Sequence, residues 1–365
     1  MERKLASIQK IVSLDPIPNA DRIEKATVLG WECVVEKGLH KVGDLVIYVE
    51  VDSILPERPE FEFMRPRNFR VKTIKLRKCT SQGLILPLSL LPNNKKGYKE
   101  GDDVTELLGI TKYLTPTERE EERREAIQRS RINKFFMRYK WYRRVANLFR
   151  IKKDKGWPKF IKKTDEPRIQ LFPHICENEK DTLFYASEKL NGTSASYFLI
   201  KQKYLFFFER LIFGVCSRNV YLKTEIHPNN YWDIARDLKI KDVLKNMIGN
   251  NKFIILQGEI IGPGIQDNKY KLKKKEFFAF NLIIPPYTFV EPLIAEEELC
   301  KNSISHVPIL SIGYKLQSSI SKCIERAEGR SLISNIPREG LVLRNYDKGL
   351  SFKIINPKYL LKYDE

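Results

Sequence analysis

Ser187-Glu188-Lys189-Leu190-Asn191-Gly192-Thr193-Ser194 ends a β-like run with a lysine and follows it with a glycine-containing turn. A long charged side chain is an unusual way to finish a strand. The position suits a nucleophile, because Gly192 lets the backbone approach a phosphate closely while the amine reaches for the phosphorus. An unperturbed lysine has a pKa of about 10.4, so burial, neighbouring cations or a metal must lower it before it attacks near neutral pH. Other cations are therefore expected to converge on Lys189. Taken alone, a lysine three residues before a glycine reads far more readily as an ordinary surface lysine before a turn.

Outward from this octapeptide, short apolar runs alternate with helical stretches. Phe184–Ala186, Ser194–Ile200, Tyr204–Phe208, Phe253–Ile261, Phe277–Ile284 and Gly340–Leu343 read as strands, and residues near 231–247 and 319–328 as helices, which predicts an α+β domain over 164–365. Several short segments stand out downstream, in this order: Ser217-Arg218-Asn219, Gln257-Gly258-Glu259-Ile260-Ile261-Gly262-Pro263-Gly264-Ile265-Gln266, Phe277-Phe278-Ala279-Phe280-Asn281, Glu339-Gly340-Leu341-Val342 and Ser351-Phe352-Lys353. Phosphate loops of the GxxxxGK[ST] type, GxGxxG, HExxH and the serine nucleophile elbow are all missing, and four histidines leave little room for His-based catalysis.

Upstream the pattern changes. Residues 1–108 carry short alternating runs (Leu5–Val12, Arg22–Leu29, Glu32–Glu36, Leu45–Val51, Gly83–Leu86) punctuated by Pro, Gly and Asn/Asp, an all-β signature. The stretch from Asp15-Pro16 through Gly43-Asp44 to Ile54-Leu55-Pro56 resembles OB-fold modules of RNA-binding proteins. Residues 109–163 form a connector in which Ile132, Phe135, Phe136, Tyr139, Tyr142, Ala146 and Phe149 recur at helical spacing. Fourteen Lys/Arg against the single acid Asp154 between Arg129 and Lys163 make its other face basic, either a solvated linker or a surface along RNA.

The whole chain, 365 residues with a net charge of +19, is large enough for two cores, and its basicity favours a polyanionic partner. Six cysteines without a CxxC pair read as reduced thiols. The N-terminus lacks an apolar signal core, and the longest uncharged greasy run, Phe277–Val290, is too short for a membrane span and contains Pro285-Pro286. An intracellular protein, cytoplasmic or nuclear, is expected, and nothing requires more than a monomer.

The ordered segments after Lys189 resemble motifs I, Ia, III, IIIa, IV and V of the covalent nucleotidyltransferase superfamily. The domain order is most similar to the fifth family of ATP-dependent RNA ligases, with an OB-fold β-barrel ahead of an adenylyltransferase domain of antiparallel sheets flanked by helices. Thr164-Asp165-Glu166-Pro167-Arg168-Ile169-Gln170 resembles that family's segment before the nucleophile. The resemblance implies an enzyme that uses ATP with Mg2+ or Mn2+ to join RNA 3′-OH and 5′-phosphate ends, in a nicked or broken duplex, through a lysyl-AMP on Lys189.

It also implies roles. Lys353 would bind the α-phosphate, Glu339 would orient the waters of the metal, and Asn191 would contact that metal through water. Glu188, Asn191, Gly192, Arg218, Glu259, Phe280 and Val342 would line the nucleotide site, with Glu259 on the ribose 2′-hydroxyl and Phe280, or its neighbour Phe278, stacked on adenine. Arg168 and Gln170 would be pocket residues or part of the entry strand. Two departures stand out: Asn191 replaces the usual aspartate, and Ile355 replaces a second lysine, for which Lys358 is a partial substitute. Capping guanylyltransferases share the lysine chemistry but carry their OB domain after motif V, where only twelve residues remain. A non-catalytic OB-fold RNA-binding protein is the other alternative.

Overall fold

A computed structural model describes residues 3–92, 97–114, 119, 157–204, 208–222, 225 and 229–363. Most of the basic connector, including its expected amphipathic helices, lies outside these residues.

The first strand, Ala6–Pro16, organises the N-terminal barrel. Its first half pairs antiparallel with Leu45–Val49 and its second half with Ile23–Val28. A register shift between Ile11 and Ser13 bends the strand from one partner to the other, as a bulge does when a sheet must curl. Trp31–Glu36 and Leu84–Leu86 complete a five-stranded, nearly closed OB-fold sheet, close to the runs expected from sequence. One set of inward residues (Ile8, Ile47, Val49, Leu55, Phe61) fills one side and a second (Ile11, Trp31, Tyr48) the other. All six cysteines of the chain are free.

Two antiparallel sheets build the second half. One has four strands in the order Ile309–Tyr314, Phe184–Lys189, Gly340–Asn345, Leu350–Ile355. The other runs Phe208–Cys216, Thr193–Tyr204, Phe253–Ile261, Glu276–Ile284, Thr288–Phe289, with Ser305–His306 added in parallel to Glu276–Ile284. The expected Tyr204–Phe208 run falls at the end of one strand and the start of the next, and residues 205–207 are outside the described residues.

Helices Asn230–Asp237 and Ile240–Met247 bury Tyr231, Ile234, Val243 and Leu244 against the six-stranded sheet. The Asn229 side chain starts the first of them by accepting the Tyr231 and Trp232 N–H groups, which have no partner inside the helix. Helix Ile320–Ala327, capped by Ser319, covers the four-stranded sheet through Cys323 and Ala327. Helices Pro292–Lys301 and Pro357–Tyr363 escaped the sequence reading. No described helix is long and apolar enough to cross a membrane.

The two halves are joined through the segment before strand Phe184–Lys189. Gly30 N–H donates to the Gln170 carbonyl at 2.9 Å, and Lys353 N–H donates to the Pro167 carbonyl at 2.8 Å. Between them, Arg168 lies 3.3 Å from the Asp52 carboxylate and 5.4 Å from the Trp31 ring centre. Asp52 also pairs with Arg70 at 3.1 Å. Burial pushes the Asp52 carboxyl up, but Arg168, Arg3 and Arg70 outweigh it and hold the group below its ordinary value. A Cβ on Gly30 would stand 2.9 Å from the Gln170 Cα and 2.6 Å from Ile320 Cδ1. Gly30→Ala should therefore wedge the joint open and lower stability by about 1–3 kcal/mol, seen as a lower Tm in thermal unfolding; an unchanged Tm would show that the joint yields without cost.

Candidate active site

Strand register brings the motif residues together. Lys189 pairs with Gly340, so Glu339 arrives beside the lysine, and Nζ donates to Glu339 Oε1 at 2.6 Å. Val342 pairs with both Ser187 and Lys353. Because side chains alternate along a strand, Ser187, Lys189, Val342, Arg344 and Lys353 share one face, while Ala186, Leu341, Leu343, Phe352 and Ile354 fill the core behind it. That face and the facing residues Gly192, Thr193, Ser194, Glu259 and Phe280 line a single cavity, with Arg218, Gln266 and the Thr164–Glu166 segment at its margin.

Local irregularities aim particular groups. Gln257 pairs with Asn281 but Gly258 with Ala279, which leaves Phe280 unpaired in a bulge. The bulge turns Phe280 into the cavity, whereas Phe278 is buried with Leu190, Ile261 and Tyr270, so the choice between the two aromatics falls to Phe280. Arg344 braces Phe280 from the side, donating to its carbonyl at 3.0 Å and to Glu166 at 3.0 Å. Gly192 is required by proximity, since a Cβ there would lie 2.2 Å from the Ile260 carbonyl oxygen.

The charges are tightly interleaved. Burial and the neighbouring Glu339 push the Glu259 carboxyl up to about 7, against the opposing pull of Lys189, Arg218 and the Gly192 N–H. Burial brings Lys353 down to about 8, helped by Lys189 and Arg168 and opposed by Asp165, whose Oδ1 lies 2.9 Å from its amine. Asp165 Oδ2 lies 3.6 Å from Arg218. Burial raises the Asp165 carboxyl, but these two cations outweigh it and hold the group well below the usual carboxylate range.

Most of the expected site residues meet here: Lys189, Gly192, Arg218, Glu259, Phe280, Val342 and Lys353 line the cavity, with Glu339 paired to Lys189. Asn191 sits at the rim, its backbone N–H donating to the Tyr270 hydroxyl at 2.8 Å. Glu188 reaches the cavity with its backbone, for its carboxylate turns to the other face and accepts the Leu332 N–H at 2.9 Å. Arg168 and Gln170 are placed in the joint with the barrel and do not line the cavity. Lys358 does not stand in for the missing second lysine: it is exposed and pairs with Glu328 at 2.6 Å, while Ile355 is buried opposite Gly340.

Asp165, Glu166, Arg344 and Tyr270 carry no role in the sequence reading. Period-two alternation from Val342 was sufficient to find Arg344; the other three reach the site only through tertiary contacts. Asn191 Oδ1 and Glu339 Oε2, either side of Lys189, are buried without a hydrogen-bond partner among the described residues. Such orphans are rare unless a ligand or water completes them. Among those residues no three His, Cys, Asp or Glu side chains converge as a direct metal cage.

Known proteins share this fold. An OB-fold domain family matches residues 5–88, and the RNA ligase family matches residues 182–360. No curated protein matches in sequence. Among solved structures, a Naegleria gruberi RNA ligase variant with ATP and Mn is 31% identical, covers 100% of both chains and superposes with a TM-score of 0.79. The same ligase with PPi is 32% identical over 100% of this chain and 99% of its own, with a TM-score of 0.78. A lysine-to-methionine variant with AMP and Mn is 31% identical over 99% of both, also at 0.78. This chain belongs to the RNA ligase family, as an ATP-dependent enzyme with an N-terminal OB domain.

Proposed function

We propose that Lys189 is the nucleophile of a three-step sealing reaction on RNA ends. Its Nζ attacks the α-phosphorus of ATP, forming a P–N bond as the bond to pyrophosphate breaks and the proton leaves the amine. The AMP then passes to an RNA 5′-phosphate, which breaks the P–N bond and forms a phosphoanhydride. A 3′-hydroxyl attacks that activated phosphate, a phosphodiester forms, and AMP departs. The observation that carries this reading is the convergence of Lys189, Glu259 and Lys353 from separate strands on one cavity, with Glu339 paired to Lys189.

In the first step, the amine lies between a carboxylate that holds it in place and Lys353, which is placed to neutralise charge growing on the α-phosphate. Phe280 and Val342 supply apolar surfaces for the adenine, Glu259 is the acceptor for the ribose 2′-hydroxyl, and Arg218 offers a guanidinium to sugar or phosphate. The unpartnered oxygens of Asn191 and Glu339 fit a Mg2+ or Mn2+ ion held through its water shell. Bound there, the ion would supply a Lewis acid for the phosphoryl oxygens. Asn191 contributes a dipole in place of a charge, so the site draws its metal-binding charge from Glu339 and the nucleotide.

Residues 1–108 and 164–365 are taken as the two working units, acting as a monomer inside the cell on nicked or broken RNA carrying 3′-OH and 5′-phosphate ends, as repair requires. Incubation with α-labelled ATP and a divalent metal should leave label on the denatured wild-type protein and none on Lys189→Ala; strong label on the variant would place the nucleophile elsewhere.

Two pH dependences follow from the electrostatics. Lys353 is a cation below about pH 8 and loses that charge above it. The adenylylation rate of wild type relative to Lys353→Ala should therefore be greatest below pH 8 and shrink above it, and a constant ratio would remove the charge from its role. Glu259 has a folded pKa raised from 4.5 to about 7, so the folded protein keeps a proton that the unfolded chain has released. Stability from this group falls as pH rises through that window and stays lower above it. Glu259→Gln should raise Tm more at pH 8 than at pH 5; equal gains at both would show that the carboxyl is not buried in its charged form at a cost.

A further inference from the structure

Two basic elements carry cations that lie outside the cavity and that the nucleotide chemistry does not use. The first is the hairpin formed by Thr73–Leu76 and Cys79–Gln82 on the barrel, which with Lys72 holds four cations and no acid. Its two-residue tip is Arg77-Lys78, with φ of 47° and 67°. Both tip residues lie in the left-handed region, where two-residue hairpins strongly prefer Asn-Gly. Their side chains are exposed. A local rule is broken here with no packing gain in return, which is the pattern of a functional position.

The second is the segment 262–275, which contains five lysines and the single acid Asp267. It is a fixed structure. The Asn268 side chain clasps Leu272, accepting its N–H at 3.0 Å and donating to its carbonyl at 2.9 Å. Lys269 donates to the Tyr363 carbonyl at 3.0 Å, Tyr270 receives the Asn191 N–H, and Gln266 lines the cavity. Lys271, Lys273 and Lys274 remain exposed, and none of them, nor Arg77 or Lys78, forms an ion pair with any described residue.

The C-terminal helix Pro357–Tyr363 connects the two. It packs on strand Thr73–Leu76 of the hairpin, and its last residue holds Lys269 of the segment. The result is a basic ridge that begins at the rim beside Asn191, crosses the helix and ends at the hairpin tip on the other domain. We infer that this ridge is the docking surface for the RNA strand whose end is sealed, its free cations meeting successive backbone phosphates on the way into the cavity. This rests on the ligase reading above and adds to it the place where RNA is held. A solvating surface has no need of a tethered lysine segment at the rim or of strained cations at the tip. A phosphate track does, because rigidly held cations lose less freedom on binding.

Two sets of substitutions test it on a nicked RNA duplex with a 5′-phosphate: Lys271→Gln/Lys273→Gln/Lys274→Gln on the segment and Arg77→Asn/Lys78→Gly on the tip. The second places favoured residues in the turn, so its Tm should be equal to or above that of wild type. Both variants should take label from ATP like wild type yet bind the duplex about tenfold or more weakly at low salt. The slope of log K against log salt should flatten by about 0.9 for each phosphate that is no longer neutralised. Wild-type affinity and salt slope in both variants, or loss of ATP labelling in step with RNA binding, would overturn the assignment. Absence of labelling in wild type is a separate result, and would count against the lysyl-adenylate reading instead.

Discussion

The need to keep several cations close together before any phosphate arrives governs the architecture of the site. Lys189, Lys353, Arg218 and Arg344 share one cavity, and like charges in a partly dry space repel strongly. The fold answers with three carboxylates, Glu339 for Lys189, Asp165 shared by Lys353 and Arg218, and Glu166 for Arg344. An entering triphosphate brings stronger anionic oxygens to the same cations, so Asp165 in particular stands where a phosphate competes with it. Lys353 and Arg218 hold the Asp165 carboxyl low against its burial, whereas burial lowers the Lys353 amine against the pull of Asp165.

The same balance explains why the barrel precedes the catalytic sheets and remains attached to them. Lys353 is fixed from behind by the Pro167 carbonyl, and the next residue, Arg168, is anchored across the joint by Asp52. A displacement of the barrel would therefore reach Lys353 through the Pro167–Arg168 backbone. The buried Arg168 guanidinium costs desolvation that, among the described residues, Asp52 and the Trp31 face offset, so partial opening of the joint would leave a buried charge without its partners.

Much of this was legible in the sequence because it depends on local pattern. The Lys189 octapeptide, the ordered segments after it and the alternating runs of the barrel each required only spacing and residue type. What escaped depends on pairing between distant strands. Phe280 is distinguished from Phe278 by a one-residue bulge set by the neighbouring strand, which no periodicity in Phe277–Asn281 reveals. Arg168 and Gln170 stand beside the nucleotide segment in sequence, yet one hydrogen bond from Gly30 and one ion pair to Asp52 draw them into the joint. Lys358 lies five residues from Lys353, but the chain has by then turned into a helix and its amine points to Glu328.

Asn191 and Ile355 change the charge of the site in opposite directions. Asn191 removes a negative charge that would have helped hold a metal, and Ile355, buried against Gly340, leaves a position without the positive charge expected there. Charge balance around Lys189 is thus kept with fewer ions. On the proposed reading the cost falls on absolute attraction: a metal would meet one fixed carboxylate beside Lys189, and the nucleotide would meet one lysine from the final strand. Binding then leans on groups that carry no net charge, such as the Phe280 and Val342 walls and the close backbone approach at Gly192. It leans equally on cations outside the cavity. An enzyme that holds its nucleotide with fewer charges depends more on how firmly the polyanion at its rim is held.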